Sequence, residues 1–344
     1  MIKMLDYVAQ LNESLKPKND LGLTVLDLFA GCGGLALGFE SAGFETIGFE
    51  RDADAARTYS ENLLGDCRQV ELTLVTEYPP AQIIIGGPPC QPFSVGGHQL
   101  GTADERNGFP VFLEAVKRLK PELCLFENVR GLLYANKWYF EKIVQALAQL
   151  GYQVDYQLIN AVDYGVPQNR ERLFVVAHRG QFFFPRREIR RRATAEAIGD
   201  LMNTIPPESK FLTASMDQYV KKYEIASKCV NPRDLYPDRP ARTLTCRNIA
   251  APTGDMQRVK LADGRRRRLL LREAARLQSF PDWFEFAGNE TSQFYQIGNA
   301  VPPLLALRLA QSVQDYFSVG TSLPKPDWVD HPLSINHQIG LFSA

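Results

Sequence analysis

Short apolar runs that stop at an acid, a glycine or a polar turn alternate along this chain with segments of helical period. "LTVLDL" (23–28), "FETIGFE" (44–50), "QIIIG" (82–86), "PELCLFENV" (121–129), "YQVDYQLIN" (152–160) and "RLFVVAH" (172–178) read as strands. Between them Phe112, Ala115, Val116 and Leu119 recur at 3.6-residue spacing, as do Phe140, Ile143, Val144, Leu147 and Leu150. Strands that alternate with helices predict an α/β fold with a doubly wound, mostly parallel sheet. In such sheets ligands bind beyond the carboxyl ends of the strands. The distinctive residues of this chain lie at those ends.

The pattern breaks after about residue 180. "FFFPRREIRRR" is aromatic, then basic, and 200–265 is rich in Pro, Asn, Asp and Thr without a clear period. This reads as a smaller, loop-rich second domain. Helical period returns in "LLLREAARLQSF" (269–280) and in "VPPLLALRLAQSVQDYF" (301–317), where proline opens the helix. The whole chain has zero net charge, yet residues 185–275 carry 20 Lys+Arg against 11 Asp+Glu, a net of +9. That asymmetry points to one region meeting nucleic acid; the alternative is a solvated basic surface.

No apolar run approaches the roughly 18–20 residues of a membrane span. The N-terminus reads as a short amphipathic helix (Leu5, Val8, Leu11, Leu15) rather than a signal peptide, so a cytoplasmic protein is expected. Six cysteines (32, 67, 90, 124, 229, 246) show no CxxC spacing and four histidines are scattered, so no metal site is expected. Free thiols of this kind are mostly core fillers.

"DLFAGCGGLA" satisfies G-x-G-x-x-[GA] at Gly31, Gly33 and Ala36, follows a strand and opens a helix. Glu50 stands about twenty residues on, at the end of the next strand. This is a dinucleotide fingerprint, with glycines for close backbone approach and an acid for ribose hydroxyls. Asp27 departs from it. A carboxylate beside a pyrophosphate repels it, whereas beside an ammonium or sulfonium it is attractive. The balance moves from NAD toward S-adenosylmethionine.

"IIIGGPPCQPFS" (83–94) runs a buried strand into a rigid turn with Cys90 at its tip. Either Cys90 is a small core residue, or the turn presents a nucleophile. A free thiol, pKa about 8.5, is only a few per cent thiolate at neutral pH, and Pro88 and Pro89 would hold it in place. The Gly-rich stretch 95–110 that follows is long enough to be a lid. "ENV" (127–129) ends a later strand and offers Glu127 as an acid. An ordinary carboxyl is protonated only about 0.2 % of the time at pH 7, so its surroundings or the substrate must supply the proton.

With these motifs in view, the chain resembles the DNA (cytosine-5)-methyltransferases of bacterial restriction–modification systems. "DLFAGCGGL" (27–35), "GGPPCQPFS" (86–94), "ENV", "QNRER" (168–172), "LLLREAARLQSFPDWF" (269–284) and "GNAVPP" (298–303) match that family's motifs in order. The resemblance covers about 23–180 and 265–317. It implies a Rossmann-like, S-adenosylmethionine-dependent catalytic domain from 1–184 and 289–344, with a target-recognition domain at 185–288.

The resemblance implies catalytic roles for Cys90, as the thiolate that attacks C6 of cytosine; Glu127, on N3 and the exocyclic amine; and Arg172, on the base and the neighbouring acid. It implies cofactor contacts from Phe29, Gly31, Cys32, Gly33, Glu50, Asp66, Pro88, Asn299, Ala300 and Val301. Arg51 stands where many members place an aromatic or apolar residue against adenine, which puts the stacking there in doubt. The base must be flipped out of double-stranded DNA. Ser94 and Arg106 are expected to touch the DNA backbone from a lid over 91–108, and Arg265, Arg266, Arg267 and Arg268 to bind phosphate. Gln168 and Arg170 are placed at the DNA-binding face, more as supports than as readers. Thr243 and Thr245 resemble a recurring feature near the end of the recognition region. His98 is not expected to act as a general base, and the three tryptophans are expected to be packing residues rather than base-stacking platforms. A monomer is the simpler expectation, and a restriction endonuclease acting on the same site is the partner implied. A tRNA-directed methyltransferase on the same scaffold is the alternative; an inactive DNA-binding relative or an NAD enzyme fits the set Cys90, Glu127 and Arg172 less well.

Overall fold

The computed structural model describes residues 6–89, 107–188, 190–226, 228, 233–250 and 255–318. After α1 (Tyr7–Ser14) come β1 (Thr24–Leu28), α2 (Gly34–Ser41), β2 (Glu45–Glu50), α3 (Ala53–Asn62), β3 (Cys67–Gln69), β4 (Ile83–Gly86), α4 (Phe109–Leu119), β5 (Leu123–Val129), α5 (Lys137–Gln149), β6 (Gln153–Asn160), β7 (Gln168–Asn169) and β8 (Glu171–His178). The second part of the chain forms α6 (Thr194–Met202), α7 (Ala214–Ala226), β9 (Ala241–Arg242), α8 (Cys246–Ile249), β10 (Arg258–Lys260), β11 (Arg266–Arg268), α9 (Leu271–Leu277), α10 (Glu290–Asn299) and α11 (Pro303–Ser318).

Seven strands make one sheet in the order β3-β2-β1-β4-β5-β8-β6. The pairs from β3 through β5 are parallel, and β8 runs antiparallel to both β5 and β6. This is the mostly parallel, Rossmann-like sheet that the sequence predicts. The reversal has a simple cause. Only residues 161–170, with no α-helix among them, join β6 to β8, and a parallel crossover needs a longer connection, usually helical.

Alternation along the strands sorts the core into two layers. Val25, Ile83, Ile85, Leu123, Leu125, Phe174 and Val176 face the layer that holds α2 and α11. Leu26, Leu28, Ile84, Phe126, Leu173 and Val175 face α4 and α5. By the same parity Asp27 shares the face of Val25, which puts a carboxylate on a central strand where an apolar residue would ordinarily sit. Helix α11 returns from the far end of the sequence to pack on α2. A Cβ at Gly38 would stand 2.4 Å from Ala306, and one at Gly34 2.5 Å from the Val301 carbonyl oxygen, so only glycine permits this approach.

The sequence reading missed β3, and in 200–265 it missed α7. Helix α7 buries Val220 alone, too little for an apolar stripe to show. It is held instead by Asp217 and Glu224, which share its inner face and pair with Arg266 and Arg258.

Candidate active site

A cavity of about 1220 Å³ opens at the carboxyl ends of β1, β2, β4 and β5. Its floor is the glycine loop. Phe29 takes a left-handed φ of 60° there, an unfavourable conformation for a residue with a side chain, and Gly33 caps α2 at φ 84°. Glu50 ties the loop down. Its Oε2 accepts from the Gly31 amide and its Oε1 from the Asp52 amide, both at 2.9 Å. Asp27 lies deeper, 1 % exposed, and its Oδ2 has no hydrogen-bond partner among the described residues. Burial and then the nearby Glu50 push its pKa up to about 8, while the Ala36 amide pulls it back. A cavity with an unpaired acid in its wall suits a ligand that carries positive charge.

The turn after β4 borders the same cavity. Asn128 Nδ2 donates to the Pro88 carbonyl at 2.9 Å, and the Gly108 amide to the Pro89 carbonyl at 2.9 Å. The turn at Pro89 is thus tied to Gly108, just before α4. Beside the turn, Arg172 Nε meets Glu127 Oε1 at 2.9 Å, with the two side chains 16 % and 13 % exposed. The sheet register makes this pair. Arg172 lies opposite Val129 and Phe174 opposite Glu127, so Glu127 and Arg172 are diagonal neighbours on one face, within reach of long side chains.

The model of the family "C-5 cytosine-specific DNA methylase" matches residues 23–315. The chain belongs to this family. Among its relatives, Type II methyltransferase M.AplI of Arthrospira platensis is 55 % identical over 336 residues, covering 92 % of this chain and 97 % of the relative. Type II methyltransferase M.FnuDI of Fusobacterium nucleatum is 35 % identical, covering 85 % and 94 %. Among solved structures, the Entamoeba histolytica methyltransferase EhMeth has a TM-score of 0.67 at 18 % identity, covering 86 % of this chain and 98 % of that one. The S. pombe Dnmt2 methyltransferase has a TM-score of 0.64 at 16 % identity, covering 86 % and 99 %. These two likenesses concern the fold.

In this methylase Phe29, Gly31, Cys32, Glu50, Pro88, Glu127, Asn299, Ala300 and Val301 all line the cavity. Gly33 and Asp66 do not. Gly33 packs on Tyr59, and Asp66 accepts from Ser60 Oγ and the Cys67 amide. Arg51 lines the cavity at its exposed rim, 3.8 Å from Glu71. Cys90, Ser94, His98 and Arg106 lie outside the described residues, as does Cys229. The thiols of Cys32 and Cys124 are pushed up to about 12 by burial, and burial also raises Cys67 and Cys246, so these four stay protonated.

Several residues assigned to DNA turn inward. Gln168 is fully buried. It donates to the Leu277 carbonyl and Gln278 Oε1 and accepts from the Leu244 amide. Arg170, 2 % exposed, donates to the carbonyls of Leu244 and Gly298. Both are buried and join chain segments far apart in sequence. Arg267 is fully buried against Glu273 at 2.7 Å. Arg266 pairs with Asp234 and Asp217, and Arg268 donates to the Ala250 carbonyl at 2.6 Å. Of the four arginines, Arg265 is the exposed one, paired with Asp263 on the surface. The hairpin β10–β11 explains the inward turn: a basic run in a strand must put alternate residues on opposite faces, and here one face is interior.

Sequence reasoning also missed Gln278. Its Nε2 donates to the Ala300 carbonyl at 2.6 Å and so links Gln168 to the cavity wall. A lone glutamine at a helix end carries no signal for this.

Proposed function

We propose that this methylase modifies C5 of cytosine at one short sequence in double-stranded DNA, using S-adenosylmethionine, as the monomeric, protective partner of a restriction endonuclease. The observation that carries the reading is the Glu127–Arg172 pair, held beside the turn that leads to Cys90 in the cavity that also contains Asp27. The target cytosine leaves the duplex stack at a cost of a few kcal/mol. Cys90 Sγ adds to C6, which drives electron density onto C5. Glu127 meets N3 and the exocyclic amine as that density builds, and Arg172 fixes the carboxylate in place. Once C5 carries the methyl group, a base takes the C5 proton and the C6–S bond breaks to release the Cys90 thiolate, which restores the ring, so one difficult substitution is split into easier steps. S-adenosylmethionine, when bound, supplies an electrophilic methyl group. Phe29, Gly31 and Cys32 would hold it, with Asp27 toward its positive charge and Glu50 toward its ribose.

Residues 185–288 act as the target-recognition domain in this reading, and the remainder as the catalytic domain. Phosphate contacts fall to exposed cations that have no ion-pair partner among the described residues, namely Arg247 beside the cavity-lining Cys246, Lys221 and Lys222 on α7, and Lys260. The test is to incubate duplex DNA with the protein and S-adenosylmethionine and map 5-methylcytosine at base resolution. Modification at a single recurring motif is expected. Unmodified DNA alongside methylated tRNA would replace this reading with the RNA one.

A further inference from the structure

Asp27 is buried at the carboxyl end of a central strand and lines the cavity with one carboxylate oxygen unpaired. Among the described residues, the titratable groups around it come from four neighbouring elements: Glu50 from β2, Cys32 from the glycine loop, Tyr59 from α3 and Cys67 from β3. None is a cation. Tyr59 is already committed, donating to Thr46 Oγ1 at 2.6 Å. The Ala36 amide alone favours the charged acid. A buried carboxylate without a counter-ion is costly, and such a group takes up a proton instead. The raised pKa of about 8 follows from that arrangement. A ligand with positive charge reverses it by supplying the missing partner.

We propose that Asp27 holds a proton until a cationic ligand enters the cavity and then releases it, so that cofactor binding is linked to the loss of one proton. The O–H bond of the carboxylic acid breaks, the proton passes to the buffer, and the carboxylate pairs with the ligand's positive charge. Affinity for S-adenosylmethionine therefore rises with pH, by up to tenfold per unit below about pH 8, and levels off above it. This rests on S-adenosylmethionine being the cofactor, and the experiment separates the two claims.

Titration calorimetry of the full chain with S-adenosylmethionine at pH 6.5, in two buffers of different ionisation enthalpy, counts the protons exchanged. Release close to one proton is expected, and release close to zero from Asp27→Asn. Binding without proton release overturns the linkage, as does equal release from the variant. Absence of any binding heat or cofactor protection at any pH instead overturns the cofactor reading. Should Asp27→Asn fail to fold, the wild-type protein carries the test. Its dissociation constant measured from pH 5.5 to 7.5 should fall about tenfold per unit, and a constant value would refute the proposal.

Discussion

Arg258 and Asp27 are both buried ionisable residues, in different regions of the molecule, and their surroundings differ sharply. Arg258, fully buried in the segment between β8 and α9, engages every nitrogen of its guanidinium. Nε donates to Asp234, Nη1 to the Met256 carbonyl and Nη2 to Glu224. Asp27, at the carboxyl end of the central strand β1, leaves an oxygen unsatisfied among the described residues. Each arrangement has its physical logic. A buried charge whose partners come from its own chain ties the backbone into one geometry. A buried charge without such partners costs stability and is tolerated where a ligand completes it. The basic segment, which by composition reads as the DNA-binding surface, thus spends much of its charge on its own folding. The cavity keeps its charge for something else.

That contrast can be broken by showing that either kind of charge does the other's work. The largest effect is expected at the turn. Cys90→Ser should lower turnover by at least about a thousandfold while the melting temperature stays close to wild type. Measurable turnover near the wild-type rate would remove the covalent step. Glu127→Gln should cost about 10²–10³-fold in rate, again with little change in melting. A variant that melts early and turns over normally would make the Glu127–Arg172 pair architecture rather than chemistry.

Glu273→Ala should do the opposite. It leaves Arg267 buried without its carboxylate and strips the Leu270 amide of its cap, a loss of about 3–5 kcal/mol. Denaturant unfolding would show it, and an unchanged midpoint would mean that the pair contributes nothing. The pH dependence of stability is a finer test. Folded Asp27 keeps its proton up to about pH 8, against 3.8 for its ordinary value. Between those limits the folded chain binds more protons than the unfolded one. This group's contribution therefore erodes as pH rises from about 4 to 8, by at most roughly 1.4 kcal/mol per unit, and is level above that. Asp27→Asn should remove that slope from melting curves taken across the window. The smallest effect concerns DNA. Arg247→Ala should reduce the salt slope of binding by about one, whereas Arg266→Ala should leave the slope alone and lower stability. The reverse result would return the arginine run to the DNA surface.

The strands, the glycine loop and the place of Glu127 at a strand end were legible in the sequence because each depends on local pattern: period, turn chemistry, or a motif at the end of a strand; the return of 298–303 to the cavity was implied by the family resemblance and by no local pattern. What failed to show was pairing. "RRRR" at 265–268 looks like four equal cations, and only the antiparallel register of β10 and β11 makes Arg267 an inward residue that meets Glu273. Gln168 and Arg170 lie close in sequence to Arg172, yet they end among the carbonyls of residues 244, 277 and 298. Arg172 alone of the three reaches Glu127.

By itself, then, the sequence determined the class of fold, the order of the sheet-edge motifs and the kinds of chemistry at hand, since backbone propensity and apolar period act over a few residues. The tertiary structure decided which charges are neutralised within the chain and which are left over. Coulomb energy depends on distance and burial, and neither exists until strands from distant parts of the chain are side by side.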